Sequence, residues 1–67
     1  MEPYQQRVVD EKAELDERLT KLSRFMTTPD LLGKVPREEQ GRLNIQINLM
    51  RALSHCLGER IAAFSKE

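Results

Sequence analysis

The sequence predicts an all-α protein, a two-helix antiparallel hairpin with a short helical turn in its connection. Three observations predict it. Apolar residues recur at three-and-four spacing along two long segments, about residues 3–26 and 36–65. All three prolines, Pro3, Pro29 and Pro36, stand where a helix would begin. No alternating strand pattern, internal repeat or low-complexity tract interrupts the two segments.

Pro3 suits the first position of a helix, where its missing N–H is not needed. From there Tyr4, Val8, Leu15, Leu19, Leu22 and Met26 follow helical spacing, with Lys12 interrupting the stripe and Phe25 alongside it. The connection, about residues 27–35, lies in the segment "TTPDLLGKVP". There Thr28 is expected to cap, Pro29 and Asp30 to form a first turn, and Gly33 to take a left-handed terminus. Leu31, Leu32 and Val35 are expected to tuck under the helix pair. Pro36 opens the second helix, with Glu38 and Glu39 in its first turn, where the helix dipole favours negative charge.

In the second helix Leu43, Met50, Leu57 and Phe64 lie seven apart, and Ile47 and Ile61 follow Leu43 and Leu57 by four. That stripe packs on the first helix. A second set, Ile45, Leu49, Ala52, Cys56 and Ala63, projects to a different side, with Leu53 near the boundary. A lone hairpin has nothing to cover it, so self-association or a partner is expected.

The whole chain, residues 1–67, reads as one small domain. At this size a single core seldom supplies more than about 3–5 kcal/mol. Disulfides cannot add to it because Cys56 is the only cysteine, and His55 and Cys56 alone cannot assemble a zinc site. Oligomerisation remains. Net charge is zero, from 11 basic and 11 acidic residues, which argues against binding duplex nucleic acid. No apolar run approaches the roughly 20 residues that cross a bilayer, and no basic leader precedes an apolar stretch, so a soluble cytoplasmic protein is expected.

Charge is uneven along the chain. Residues 1–17 carry six acids against two bases, and residues 18–37 carry five bases against Asp30 alone. The second segment could receive a compact anion; the simpler reading is a solvated helix face supported by pairs such as Glu14 with Arg18 and Glu17 with Lys21. Chemistry has little to work with. His55 and Cys56 are adjacent, hence about 100° apart on a helix, and cannot act as base and nucleophile in one chain. Neither catalysis, a metal nor a cofactor is expected. Cys56 reads as a small buried hydrophobe and His55 as a surface or interface residue.

Tyr4, the only tyrosine, can anchor a helix end by packing, or offer a face on which a nucleobase stacks while nearby Arg or Lys meets phosphate. Gly58 lies inside the second helix, where glycine costs roughly 1 kcal/mol relative to alanine. It is either tolerated or needed for a close approach to the backbone. Arg60, two residues later, carries the planar fork that pairs bidentately with phosphate; the simpler reading pairs it with Glu67 or a neighbouring chain.

The segments "YQQRVVDEKAELDERLTKLSRFM" and "EEQGRLNIQINLMRALSHCLGERIAAF", and above all "RVVDEKAELDERLTKL" and "LGERI", resemble the small phage proteins of the anti-CBASS cyclic-oligonucleotide sponge family over about residues 4–64. The resemblance implies a compact homohexamer of helical hairpins in the cytoplasm of the infected bacterial host. Such a protein binds cyclic dinucleotide and cyclic trinucleotide messengers without cleaving them and keeps CBASS effectors silent. It implies a dinucleotide pocket between paired protomers, with Tyr4 stacking on a base, Arg18 or Lys21 on the phosphates and Thr20 adding a hydroxyl. It implies a trinucleotide pocket that gathers copies of Gly58 and Arg60. Ile45, Leu49, Ala52, Cys56 and Ala63 would then lie in protomer contacts. A reading of a different class is a helical-hairpin module that binds another protein through the second apolar side and takes no nucleotide.

Overall fold

The computed structural model describes residues 1–67 as a rod of 47 × 15 × 14 Å. Helix α1 spans Pro3–Met26, a single turn α2 spans Pro29–Leu32, helix α3 spans Arg37–Ala63, and a 3₁₀ turn, Phe64–Lys66, follows it. Helices α1 and α3 pair along their length to form the hairpin. No strand occurs.

Side chains complete both ends of α1. The backbone N–H of Glu2 donates to Gln5 Oε1 at 2.9 Å, which closes the start of α1. At its far end the Thr27 hydroxyl donates to the Ser23 carbonyl at 2.9 Å and the Thr28 hydroxyl to the Arg24 carbonyl at 2.6 Å. These hydroxyls add to the bonds that the Thr27 N–H already donates to the Ser23 and Arg24 carbonyls. Thr28 therefore finishes α1 instead of capping α2, because its hydroxyl is committed backwards. Gln40 Nε2 donates to the carbonyls of Leu32 at 3.0 Å and Val35 at 2.9 Å, which ties the connection to the first turns of α3.

Gly33 departs from expectation too. Its φ of −63° and ψ of −16° are right-handed, and no residue in the chain has positive φ. The glycine answers a packing demand instead: a Cβ there would stand 3.0 Å from the Pro29 carbonyl oxygen. Leu32 and Val35 are half-buried as expected, whereas Leu31 is exposed, since a four-residue turn can aim only part of its surface at the helix pair.

The core is narrow. Val8, Leu15 and Leu57 form its buried centre, with Met50, Ile61 and Phe64 packed against it, and Ile47 is buried farther along α3. Leu57, 1 % exposed, is the most enclosed large side chain. Leu19, Leu22 and Met26 are only half-buried, because two helices share one seam and leave its flanks open. The set expected on the other side of α3 is uncovered: Ile45 and Leu49 are 62 % and 65 % exposed, and Ala52, Cys56 and Ala63 are exposed with them. Within one chain Cys56 is thus a surface residue.

Gly41 provides a test of the helix itself. It lies inside α3, and a Cβ there would meet nothing within 4 Å. Gly41→Ala is expected to stabilise the protein by about 0.4–1 kcal/mol, read as a higher urea midpoint at fixed protein concentration. A lower midpoint would mean that position 41 is enclosed in the assembled protein.

Candidate functional site

Lys12 falls in the apolar stripe of α1, and the structure shows how it is accommodated. Its Nζ donates to Asp16 Oδ2 at 2.7 Å and to Ser54 Oγ at 3.1 Å, while the Ser54 hydroxyl donates to Asp16 Oδ1. The hydrogen bonds from Lys12 and then Ser54 hold the Asp16 carboxyl below its ordinary range. Gly58 stands one turn after Ser54, and a Cβ on it would lie 3.3 Å from Lys12 Cε. The glycine within α3 therefore leaves room for the Lys12 stem.

Beside this cluster a groove of about 490 Å³ opens, with Lys12 and Leu19 on one wall and Arg51, Ser54, His55, Gly58, Glu59 and Ala62 on the other. His55 Nε2 and Glu59 Oε1 are 3.1 Å apart at one turn's spacing, so the histidine has a carboxylate neighbour. Arg51 has no hydrogen-bonding or acidic partner in the chain, and it also lines a second cavity of about 310 Å³ with Ser23, Met26, Thr27, Leu32, Asn44 and Ile47. Sequence reasoning missed Arg51 and Ser54 as groove residues; the one available signal was the Lys12 and Asp16 spacing on a stripe otherwise apolar.

Tyr4 sits where the two ends of the hairpin meet. Its ring packs edge-on against Phe64, with centroids 5.8 Å apart and planes at 81°, and its hydroxyl donates to Glu67 Oε2. Gln5 Nε2 donates to the same oxygen at 2.8 Å, which explains why glutamine is the one buried polar residue. The bond to the Glu67 carboxylate is the main cause that raises the Tyr4 pKa above its ordinary value. Tyr4 remains 43 % exposed, so it anchors the helix end and still presents ring surface to solvent. Glu67 is engaged by Tyr4 and Gln5, and Arg60 has no acidic partner in the chain.

The other expected residues lie apart within one chain. Arg18 is about 40° from Tyr4 around α1 but about 21 Å farther along it. Its Nε donates to the Glu14 carbonyl at 3.4 Å, and Lys21 pairs with Glu17 at 3.3 Å. The Thr20 hydroxyl donates to the Asp16 carbonyl at 2.9 Å, on the side of α1 away from Tyr4. Gly58 and Arg60 diverge by about 160° around α3. Gly58 belongs to the groove, and Arg60 stands beside the uncovered apolar face. Neither expected pocket is complete within one chain.

No group of three or more His, Cys, Asp or Glu side chains is arranged to hold a metal ion, and no helix is long and apolar enough to cross a membrane. A family model described as Sequestin matches residues 2–63, nearly the whole chain. Comparison with curated proteins and with solved structures gives no match.

Asp16 has a pH signature. Its folded pKa is lowered, so its contribution to stability is present above the unfolded carboxylate value of about 4 and is lost as pH falls through the folded value. Asp16→Asn should therefore lower the thermal midpoint at pH 6–7, and the gap from wild type should close below about pH 4. A gap that stayed constant down to pH 2 would remove the charged Lys12 and Asp16 contact from the stability of the hairpin.

Proposed function

The chain belongs to the Sequestin family, the anti-CBASS cyclic-nucleotide sponges, and from that premise we propose that it sequesters cyclic dinucleotide and cyclic trinucleotide messengers in the infected bacterial cytoplasm without cleaving them. Family membership carries a sequestering, anti-defence role exercised by binding. The cyclic messengers and the residues that grip them are our assignment.

The observation that carries this reading is Arg60. An unpaired guanidinium at the edge of an uncovered apolar face has its charge unanswered in one chain. Copies that associate through Ile45, Leu49, Ala52, Cys56 and Ala63 bring several such guanidiniums together, and like charges gathered in this way call for an anion between them. A cyclic trinucleotide, with one negative charge per phosphate, answers several arginines at once. Gly58 contributes from a different protomer than Arg60, because the two residues diverge on α3. Tyr4 and Arg18 or Lys21, about 20 Å or more apart along one helix, form the dinucleotide pocket across paired protomers, with Thr20 adding a hydroxyl. The assembly is a homohexamer in this proposal.

The uncovered face also suits another protein, which would make the chain an interaction module without a nucleotide ligand. The state of assembly separates the two readings, since a closed homo-oligomer leaves that face no room for a partner.

Calorimetric titration of the purified protein with cyclic di- and trinucleotides, followed by chromatography of ligand released by heat, should give tight binding and intact ligand. No heat from a well-folded oligomer would overturn the sponge reading. Tyr4→Ala is expected to weaken dinucleotide binding by about tenfold or more while sparing the trinucleotide, and Tyr4→Phe, which keeps the stacking ring, to retain most of it. Arg60→Ala should show the reverse selectivity; loss of both ligands in each variant with assembly intact would contradict two separate sites.

Leu49→Glu tests the interface. The side chain is 65 % exposed in one chain, so the substitution is mild for a monomer, but in a protomer contact it buries an unpaired charge. Sedimentation should show the assembly broken. A Leu49→Glu protein that kept its oligomeric state would take Leu49 out of the contact.

A further inference from the structure

We propose that the groove between α1 and α3 centred on Arg51 is a second ligand site, which takes the phosphate of a nucleoside phosphate. Its donors are in surplus. Arg51 presents five N–H groups and none has a partner in the chain. Lys12 spends two of its three on Asp16 and Ser54 and retains one. The one acidic residue lining the groove, Glu59, is paired with His55. A concave surface whose two cationic side chains face a single carboxylate selects an anion rich in acceptors, and a guanidinium selects a phosphate that can meet its fork.

The cavities match a ligand larger than phosphate alone. At about 490 Å³ the first lies in the size range of small-molecule sites, and Arg51 is shared with the second, of about 310 Å³. The second cavity combines Met26, Leu32 and Ile47 with the polar side chains of Ser23, Thr27 and Asn44. Apolar surface for the face of a base and polar groups for its edges lie next to a phosphate-binding arginine. Gly58 leaves room for the Lys12 stem, which places the Lys12 ammonium beside the groove.

The basic side of the groove is turned away from the uncovered apolar face. Arg51 and Gly58 lie roughly 120–140° around α3 from the line through Ile45, Ala52 and Cys56, while Glu59 on the near rim lies about 40° from it. Neither Tyr4 nor Arg60 lines either cavity, so the proposed cyclic-messenger pockets meet the groove at Gly58 alone. The donors of Arg51 and Lys12 belong to neither of those pockets.

Titration of the ¹⁵N-labelled full chain with adenosine 5′-monophosphate, followed by NMR, decides the matter. Saturable shifts are expected at the amides of Ser54, His55 and Gly58 and at the Arg51 side chain. Arg51→Gln should weaken binding about tenfold or more, adenosine without phosphate should bind no better than that variant binds the nucleotide, and Arg37→Gln should change nothing. Arg37 is a suitable control because it is exposed and about 21 Å from Arg51 along the same helix. Absence of shifts at these groups, or equal weakening by Arg51→Gln and Arg37→Gln, would overturn the proposal. Arg51 is exposed, so its substitution leaves the core unchanged.

Discussion

Two helices share a single seam, and the rest of this molecule follows from how little that seam buries. Four apolar side chains, Val8, Leu15, Ile47 and Leu57, are enclosed in a chain of 67 residues. Burial of apolar surface is the main term that offsets the conformational entropy lost on folding, and four enclosed side chains supply little of it. A hairpin this thin is marginal by itself, and the apolar residues that would improve it are on the outer side of α3. Under the sponge reading, stability, assembly and any ligand pocket made by several copies would therefore draw on the same surface.

The seam also contains a charge. Lys12 sits between Val8 and Leu15 in the stripe, where a leucine would bury more area, and its ammonium reaches Asp16 on its own helix and Ser54 across the seam. With the hydroxyl of Ser54 donating to Asp16, the three groups satisfy one another, which is the condition for keeping polar atoms in a packed interface. Only the turn of α3 that carries Ser54 and Gly58 can oppose Lys12, one with a hydroxyl and the other with no side chain in the way. The cluster thus favours one register of the hairpin over a slide by a turn, a specificity that a uniform leucine seam lacks.

Much of the fold is legible because local rules agree with the final packing. Pro3 and the "TTPD" stretch bound α1, and the two stripes of α3 separate cleanly into a seam and an exposed face. What stays hidden depends on contacts distant in sequence or on residues with more than one use. Gly33 could serve a left-handed backbone or a close approach, and only the position of the Pro29 carbonyl decides for the second. Cys56 reads as buried because its neighbours are apolar, yet burial needs a second surface that one chain does not have. Glu67 and Tyr4 are 63 residues apart, and a pairing of Glu67 with Arg60 looks more natural until the 3₁₀ turn brings Glu67 to α1. Arg51 is an ordinary helical arginine until α1 supplies the opposite wall of its groove. The expected pockets themselves are not visible in one chain, since Tyr4 and Arg18 are separated along α1 and Gly58 and Arg60 around α3.

The Tyr4 corner shows what binding would have to displace. Glu67 brings a carboxylate onto the hydroxyl of the ring proposed to stack a base, and Gln5 holds that carboxylate from the buried side. A phosphate arriving at Tyr4 meets like charge from Glu67, so the ligand must gain more from the ring face and from cations of a second protomer than it loses there. The edge-on contact with Phe64 fixes the ring while leaving one side exposed, which lowers the ordering cost of stacking. Under the sponge reading the ring is therefore held ready by packing, and the carboxylate beside it makes binding depend on the neighbouring chain's positive charge. An isolated hairpin then repels an anion that its assembled form retains, so ligand and assembly favour one another by mass action.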